Sequence, residues 1–140
     1  MKAIGRYQLQ QFLGRGTWSV VFEVSIPATG KPGALKLLQP NPVLAELLGM
    51  ETMRELFERE VQILRELRHP NILPIKDFDY WRNKPFFVTD FYYTDLRNLM
   101  GGGHVRTRVI SLDQAVKYTY QILRVLQYSI SMTQVSFTGI

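Results

Sequence analysis

Apolar and polar positions in the first forty residues form the short, partly alternating runs that are typical of β-strands. Such runs occupy residues 7–13, 20–26 and 34–38, and residues 27–33 are dense in turn-forming residues. Strands joined by connections this short pair antiparallel. The pattern therefore predicts a three-stranded antiparallel meander at the start of the chain.

Helical spacing replaces the strand pattern after Pro40 and Pro42. Two helical segments are predicted, at residues 43–48 and 51–67. In the second, one face collects the residues at steps of three and four: Met53, Leu56, Phe57, Glu60, Ile63, Leu64 and Leu67. Glu60 is a carboxylate within this otherwise apolar face. Because an unpaired buried charge is costly, the pattern predicts a partner for Glu60. The alternative is one more exposed member of a charged helix.

Strand-like runs return after a turn at residues 69–71. Residues 72–75 with 78–80, and then residues 86–91, are predicted as two further strands. Together with the meander they give a twisted antiparallel sheet of five strands, and the long helix packs on it. The predicted fold class is therefore α+β.

The remainder is predicted to be mainly helical. A short helical piece covers residues 95–100, glycines at 101–103 follow it, and Ser111 with Gln114 forms a capping box that begins a helix running to about Tyr128. Its apolar residues recur at helical steps: Leu112, Ala115, Val116, Ile122, Leu123 and Leu126.

Three segments are predicted as the domain organisation. Residues 1–91 form a first domain, residues 92–128 a hinge and a partial helical domain, and residues 129–140 an irregular tail, since the tail shows neither helical nor strand periodicity.

Composition narrows the class of protein. The 140 residues carry a net charge of +5, with basic and acidic residues interleaved along the long helix, which indicates a solvated face and no nucleic-acid surface. Cysteine is absent, and His69 and His104 lack metal-ligand spacing, so neither disulfides nor a metal site is predicted. No apolar run suggests a signal peptide or membrane segment, and the expected location is cytoplasmic.

Residues 13–22, which we call the glycine loop, carry a chemical motif. Gly14 and Gly16 stand two residues apart, followed by a strand. Glycines let the backbone approach a ligand, and free N–H groups along such a turn bind anions, usually phosphates. A dinucleotide-binding fingerprint needs a helix after the glycines. By itself the stretch fits a phosphate-covering loop or an ordinary hairpin turn.

The order of these features resembles the N-terminal half of a protein kinase domain of the serine/threonine type. The matching stretches are the glycine loop, residues 34–36, residues 57–64, residues 69–72 and residues 87–92. The resemblance extends over residues 7–128, although Ser19 stands where the kinase pattern prefers a third glycine. It implies a kinase N-lobe with the long helix as helix C, followed by a hinge and two helices of a truncated C-lobe, and ATP as the ligand.

The resemblance also implies roles around the phosphates of ATP. Lys36 would neutralise the α- and β-phosphates and pair with Glu60; the alternative for Lys36 is a surface lysine on an edge strand. The loop residues that would cover the phosphates are Gly14, Arg15, Gly16, Thr17, Trp18 and Ser19. Trp18 would lie exposed at the tip of the loop, where it would shield the phosphates from water.

A second group of residues would enclose the adenosine: Leu13, Val21, Ala34, Thr89, Asp90, Tyr92 and Asp95. The first three would line the adenine, for which plain core packing is the alternative, and Thr89 would lie beside it. The backbone of Asp90 and Tyr92 would bind the adenine edge. Asp95 would lie near the ribose, or act as a helix N-cap. Leu64 and Ile75 resemble the apolar spine that fixes helix C.

The residues that complete phosphoryl transfer are missing from this pattern. Kinases use a catalytic aspartate, and an asparagine and a second aspartate that hold Mg²⁺, beyond the helix that ends here near Tyr128. After Asp113 the sequence contains no aspartate, glutamate, histidine or asparagine. We therefore expect a truncated product that is inactive alone and has no Mg²⁺ ligands. The alternatives are a non-catalytic kinase-like module that binds nucleotide or protein, and a non-functional fragment.

Truncation has a packing consequence for the last helix. The apolar face of that helix would be covered in an intact kinase, and exposing its Leu and Val side chains costs about 1.5–3 kcal/mol each. We expect the segment beyond Met100 to be loosely held, to self-associate or to need a partner.

Overall fold

The computed structural model describes residues 2–101 and 109–138, without the side chains of 134–138. Within them lie six strands and four helices: β1 Ala3–Ile4, β2 Tyr7–Arg15, β3 Ser19–Ser25, β4 Pro32–Leu38, α1 Pro42–Leu48, α2 Met50–Glu66, β5 Ile75–Trp81, β6 Lys84–Asp90, α3 Leu96–Leu99 and α4 Leu112–Thr138. Glycines 102 and 103 of the predicted break, His104 and residues 139–140 of the predicted tail lie outside the described residues. No helix in the described ranges is long and apolar enough to cross a membrane.

The chain divides into two compact units. The first comprises the residues up to Glu66 together with Leu73–Phe91, and the second comprises Leu67–Ile72 and the residues from Tyr92 onwards. The first unit holds the sheet with α1 and α2, and the second holds α3 and α4.

All six strands join one antiparallel sheet in the order β1-β2-β3-β4-β6-β5. The α+β fold class is confirmed, but the predicted number of five strands is wrong. The additional strand is β1, in which Ile4 pairs with Tyr7. Gly5 has a φ of +54°, so the chain reverses within two residues. A two-residue strand is too short to produce a periodic signal.

The hairpin of β5 and β6 differs from its predicted limits. β5 begins at Ile75 rather than residue 72 and is continuous through Trp81, with a register irregularity between Ile75 and Asp77. Arg82 and Asn83 both have positive φ, at 48° and 62°. Two consecutive residues of that conformation match the tight turn that suits the twist of a hairpin.

The two faces of the sheet bury different clusters. The first cluster lies on the face away from α2: Ile4, Tyr7, Val20, Val24, Leu35, Leu37, Phe86 and Val88. The second cluster forms where α2 packs on the sheet: Leu38, Met53, Phe57, Val61 and Phe87. The predicted spine residues Leu64 and Ile75 are half-buried and pack against the second cluster.

Helix α2 packs through a stripe at steps of four. Met53, Phe57 and Val61 are each 1% exposed; the first two belong to the predicted face, and Val61 does not. Leu56 and Ile63 of the predicted face are 42% and 50% exposed, so the buried stripe does not coincide with that face. The preceding helix α1 begins at an N-cap in which the Asn41 side chain accepts a hydrogen bond from Val43 N at 2.9 Å. It ends at Gly49, whose φ is +78°.

In the second unit, α4 packs against the segment Leu67–Ile72. The Tyr128 hydroxyl accepts a hydrogen bond from Arg68 N at 2.8 Å, and the Tyr128 and His69 rings lie 5.4 Å apart. The predicted irregular tail from residue 129 is wrong as far as Thr138, because α4 continues to that residue. Ser129, Ser131 and Thr133 donate hydrogen bonds to carbonyls four residues earlier, so their hydroxyl groups are satisfied within the helix.

Candidate functional site

The glycine loop has the predicted strand–turn–strand form. β2 ends at Arg15 and β3 begins at Ser19, and Gly16 N donates a hydrogen bond to Ser19 O at 2.8 Å across the turn. A Cβ on Gly16 would lie 3.3 Å from Ser19 Oγ, whereas a Cβ on Gly14 would meet no atom within 4 Å. Gly14 therefore leaves open space beside the backbone, and Gly16 permits a close turn.

One row of residues crosses four strands and joins the loop to the charged groups. Gly14 pairs with Val21, Val21 with Lys36, and Lys36 with Phe87. Residues directly opposite each other in antiparallel strands share a face of the sheet. Because Phe87 belongs to the second cluster, this row faces α2.

The lysine in this row forms an ion pair with α2. Lys36 Nζ lies 2.7 Å from Glu60 Oε1, and the two side chains are 25% and 37% exposed. Glu60 reaches the sheet because it follows Phe57 by three residues and lies on the same side of the helix. The sequence-based expectation of a partner for Glu60 is met by Lys36.

Two aromatic rings flank the Lys36 ammonium group. Nζ lies 5.8 Å from the ring centroid of Phe57 and 5.5 Å from that of Phe87, within the range of cation–π attraction. Neither residue was predicted to belong to the site. Phe57 could have been predicted, since it lies one helical turn from Glu60. Phe87 could not, because its place beside Lys36 depends on strand register, which the sequence does not reveal.

The other predicted residues of the first unit follow the same face. Ala34 pairs with both Glu23 and Thr89, so Ala34 and Thr89 are neighbours two positions from Lys36 and Phe87. Thr89 is buried, and its hydroxyl donates to Asp90 O at 3.0 Å. The Asp90 carboxylate pairs with Lys76 at 3.3 Å.

Two residues at the edge of the glycine loop are exposed. Leu13 is 36% exposed at the end of β2, and Thr17 is exposed in the turn. Both accord with a surface that could contact a ligand.

Trp18 does not lie exposed at the tip of the loop, and that expectation is wrong. Its side chain is half-buried and packs against the second cluster. Its carbonyl accepts a hydrogen bond from Gln39 N at 2.9 Å, and Arg15 Nη1 donates to Gln39 O at 3.2 Å. A large aromatic ring gains more free energy by packing on apolar side chains than by exposure to water.

Tyr92 and Asp95 belong to the second unit. Tyr92 is 68% exposed. Asp95 is the N-cap of α3, and its carboxylate accepts a hydrogen bond from Asn98 N at 2.7 Å. The capping alternative for Asp95 is therefore realised, and its contact with a ribose stays a prediction.

The fit of ATP to these residues rests on cationic and backbone groups. Lys36 supplies a positive charge, and the open space at Gly14 lies in the same row of the sheet. Within residues 2–101 and 109–138, no group of three His, Cys, Asp or Glu residues that could hold a metal ion is found.

Comparison with known families supports this geometry. Residues 7–136 match the model described as the protein kinase domain. The chain belongs to the protein kinase family. The match includes both the glycine loop and the Lys36–Glu60 pair, and it confirms the resemblance that the motifs indicated.

Curated kinases resemble the chain over most of its length. It is 30% identical over 126 residues to CBL-interacting serine/threonine-protein kinase 15 of Arabidopsis thaliana, covering 88% of this chain and 27% of that protein. It is 30% identical over 124 residues to CBL-interacting protein kinase 19 of Oryza sativa subsp. japonica, covering 86% and 22%. The chain thus spans about a quarter of the length of these relatives.

Solved kinase structures share the fold. The PknI kinase domain of Mycobacterium tuberculosis matches with a TM-score of 0.65 at 22% identity, over 90% of this chain and 48% of that chain. A second crystal structure of the same domain gives 0.64 at 22% identity, over 91% and 49%. This similarity confirms the kinase-like α+β fold predicted for the first unit.

Proposed function

We propose that this chain is the ATP-binding portion of a serine/threonine protein kinase. The observation that carries the proposal is the 2.7 Å ion pair between Lys36 and Glu60, in the same row of the sheet as Gly14 and Val21. In kinases this lysine binds the α- and β-phosphates, and the glutamate of helix C holds it in place. The serine/threonine type is supported by the name of an Arabidopsis relative.

The nucleotide would be held by three kinds of contact. The Lys36 ammonium would attract the phosphates, and the backbone of the glycine loop would cover them. Leu13, Val21 and Ala34 would contact the adenine, with Thr89 beside it and the backbone of Asp90 and Tyr92 at its edge. Each of these roles comes from the family pattern, and the register of β3, β4 and β6 supports those on the sheet.

Phosphoryl transfer requires more than these 140 residues supply. The sequence after Asp113 offers no carboxylate to orient a hydroxyl acceptor and no Mg²⁺ ligand. We therefore expect residues 1–140 to bind ATP weakly and not to transfer phosphate by themselves. A cytoplasmic location is part of the same proposal.

A kinase-like module that binds nucleotide or protein without catalysis is the second candidate. It shares the nucleotide site with the first candidate, so the two differ only in whether a longer protein that contains these residues transfers phosphate.

A thermal unfolding series with ATP tests the proposal. A ligand that binds only the folded state raises Tm, and the rise grows with the logarithm of the ligand concentration once that concentration exceeds Kd. We expect millimolar ATP to raise the Tm of the chain and to leave that of Lys36→Ala unchanged, and a phosphotransfer assay on both to give no product. An equal rise in Tm for both proteins would contradict the assigned phosphate site.

We also propose that α4 associates with a second copy of the chain. A stripe at alternating steps of four and three residues, the spacing of a coiled-coil seam, runs along it: Leu112, Val116, Thr119, Leu123, Leu126 and Ile130. The five apolar members are 53% to 78% exposed, from Leu126 at the lower end to Leu112 at the upper end. The opposite face, with Tyr118, Val125 and Tyr128, is half-buried.

A further inference from the structure

Trp18 of the glycine loop packs on a cluster that is shared by the sheet and by the helix that carries Glu60. Its ring packs on the second cluster, and three of the five buried members of that cluster, Met53, Phe57 and Val61, belong to α2. α2 therefore supplies most of the buried side chains of the cluster on which the ring packs. A displacement of α2 from the sheet would disrupt that cluster.

Hydrogen bonds to the backbone of Gln39 also hold this part of the glycine loop. Gln39 N donates to Trp18 O, and Gln39 O accepts from the Arg15 guanidinium, so both backbone groups of Gln39 bind the two ends of the turn. Within the turn, Gly16 N donates to Ser19 O, and Ser19 is 4% exposed. The turn is thus closed internally and attached to the chain that follows β4.

A glycine-containing turn gains little order from its own residues, because glycine loses much conformational freedom when it is fixed. Burial of an aromatic ring next to such a turn can offset this cost, because it makes a large favourable contribution to the free energy of folding. In this chain that ring belongs to Trp18, which packs on a cluster that includes three residues of α2, the helix that carries Glu60. The position of the loop and the position of the Lys36 partner are consequently linked.

We propose that Trp18 is a positioning residue that couples the glycine loop to α2. With the ring in place, the loop and the Lys36–Glu60 pair adopt one arrangement together; without it, the loop loses its order. The consequence for ATP rests on the function proposed above, whereas the coupling itself does not require a nucleotide.

The coupling is measured first without nucleotide, using tryptophan fluorescence. The sequence has two tryptophans, Trp18 and Trp81, so Trp81→Phe leaves Trp18 as the sole indole group. We expect the fluorescence of Trp18 in the folded Trp81→Phe protein to peak at a shorter wavelength than in the same protein unfolded by denaturant. Adding Met53→Ala, which loosens the second cluster, should increase acrylamide quenching of Trp18 at least twofold. Adding Val88→Ala, which removes a buried side chain from the first cluster instead, should leave the quenching unchanged.

Two fluorescence results would overturn the proposal. One is emission of a fully hydrated indole group in the folded Trp81→Phe protein. The other is an equal effect of Met53→Ala and Val88→Ala, which would mean that general loosening of the fold, and not the surface on α2, controls the ring. Far-ultraviolet circular dichroism confirms that each variant is folded before it is compared.

Nucleotide binding gives the second readout. We expect Trp18→Ala to weaken ATP binding about tenfold, and Trp18→Phe to restore most of the affinity because a smaller ring still packs on the cluster. Trp81→Ala is the matched control: it deletes the same side chain from the first cluster and should leave ATP affinity unchanged. Equal affinities for Trp18→Ala and the unsubstituted chain would overturn the link to ATP. Failure of the unsubstituted chain to bind ATP would instead reject the proposed function, and fluorescence alone would then decide the coupling.

Discussion

Lys36 illustrates how single residues acquire a role from their surroundings. Its ammonium group lies between the rings of Phe57 and Phe87 and is paired with Glu60, so three side chains fix its position. A lysine on a long flexible side chain is a mobile charge unless neighbouring groups restrict it. The restriction holds Nζ on the α2 side of the sheet, where a phosphate could share it.

A second group of polar side chains, Arg6, Tyr7 and Asp77, affects the stability of the sheet. Asp77 Oδ2 accepts hydrogen bonds from the Tyr7 hydroxyl at 2.5 Å and the Arg6 guanidinium at 2.7 Å. Burial acts to raise the pKa of Asp77, but the two hydrogen bonds outweigh it and the pKa lies below the ordinary value. Burial, and next the bond to Asp77, raises the pKa of the Tyr7 hydroxyl.

The lowered pKa gives a pH prediction at this scale. A carboxylate with a depressed folded-state pKa stabilises the protein above its unfolded-state pKa of about 3.9, and this contribution is lost as the pH falls through the folded-state pKa. We expect Asp77→Asn to reduce the free energy of unfolding by at most about 1 kcal/mol at pH 7, since this group of side chains is partly exposed.

Chemical denaturation between pH 2 and pH 7 measures this difference. The difference in free energy of unfolding between the unsubstituted chain and Asp77→Asn, which we call the gap, should be constant above about pH 5 and should narrow below about pH 4. Asp79→Asn, a change on the same strand at an exposed carboxylate, should produce a much smaller gap. A gap for Asp77→Asn that widens towards low pH would contradict the assignment.

At the scale of elements, α4 carries two faces of different character. One packs on the segment Leu67–Ile72 within its own unit, and the other presents the coiled-coil stripe to solvent. A helix that is apolar on two faces requires a second packing partner. The stripe extends over about 27 Å from Leu112 to Ile130 at 1.5 Å per residue, a length sufficient for several layers of side-chain packing.

Substitutions on the stripe test this association. We expect sedimentation equilibrium to show a dimer for the unsubstituted chain and a monomer for Leu123→Glu combined with Leu126→Glu, because burying two carboxylates in a seam is unfavourable. Lys117→Glu adds a carboxylate away from the stripe and should leave the dimer intact. A monomer at all concentrations for the unsubstituted chain, or dissociation by Lys117→Glu, would contradict a seam at this face.

Elements with strong periodicity were predictable, and those that depend on distant contacts were not. Met53 and Phe57 of the buried α2 stripe were evident from spacing alone, as was Glu60 on the same face, whereas Val61 was not in the predicted set. β1 was not predicted because two residues are too few to show a period. The extension of α4 beyond residue 128 was not predicted because serine and threonine weaken helical patterns, although their hydroxyl groups can bond to the preceding turn.

At the scale of the whole molecule, the candidate site depends on register between strands. The row from Gly14 through Val21 and Lys36 to Phe87 joins residues up to 73 positions apart. Sequence order could predict that the loop, lysine and glutamate act together, because the family pattern preserves that order. It could not predict that Trp18 packs on the second cluster, since the direction of a loop side chain depends on the tertiary contacts that it finds.

The most direct test of the nucleotide site is the preference for ATP over adenosine, measured by titration calorimetry. The two ligands share the base and ribose, so their difference in affinity reports phosphate recognition. We expect the unsubstituted chain to bind ATP at least about tenfold more tightly, a difference of about 1.4 kcal/mol. Lys36→Ala should bind both about equally, and Lys31→Ala, at an exposed lysine in the turn before β4, should retain the preference. Loss of the preference in both variants, or its persistence in Lys36→Ala, would contradict the account.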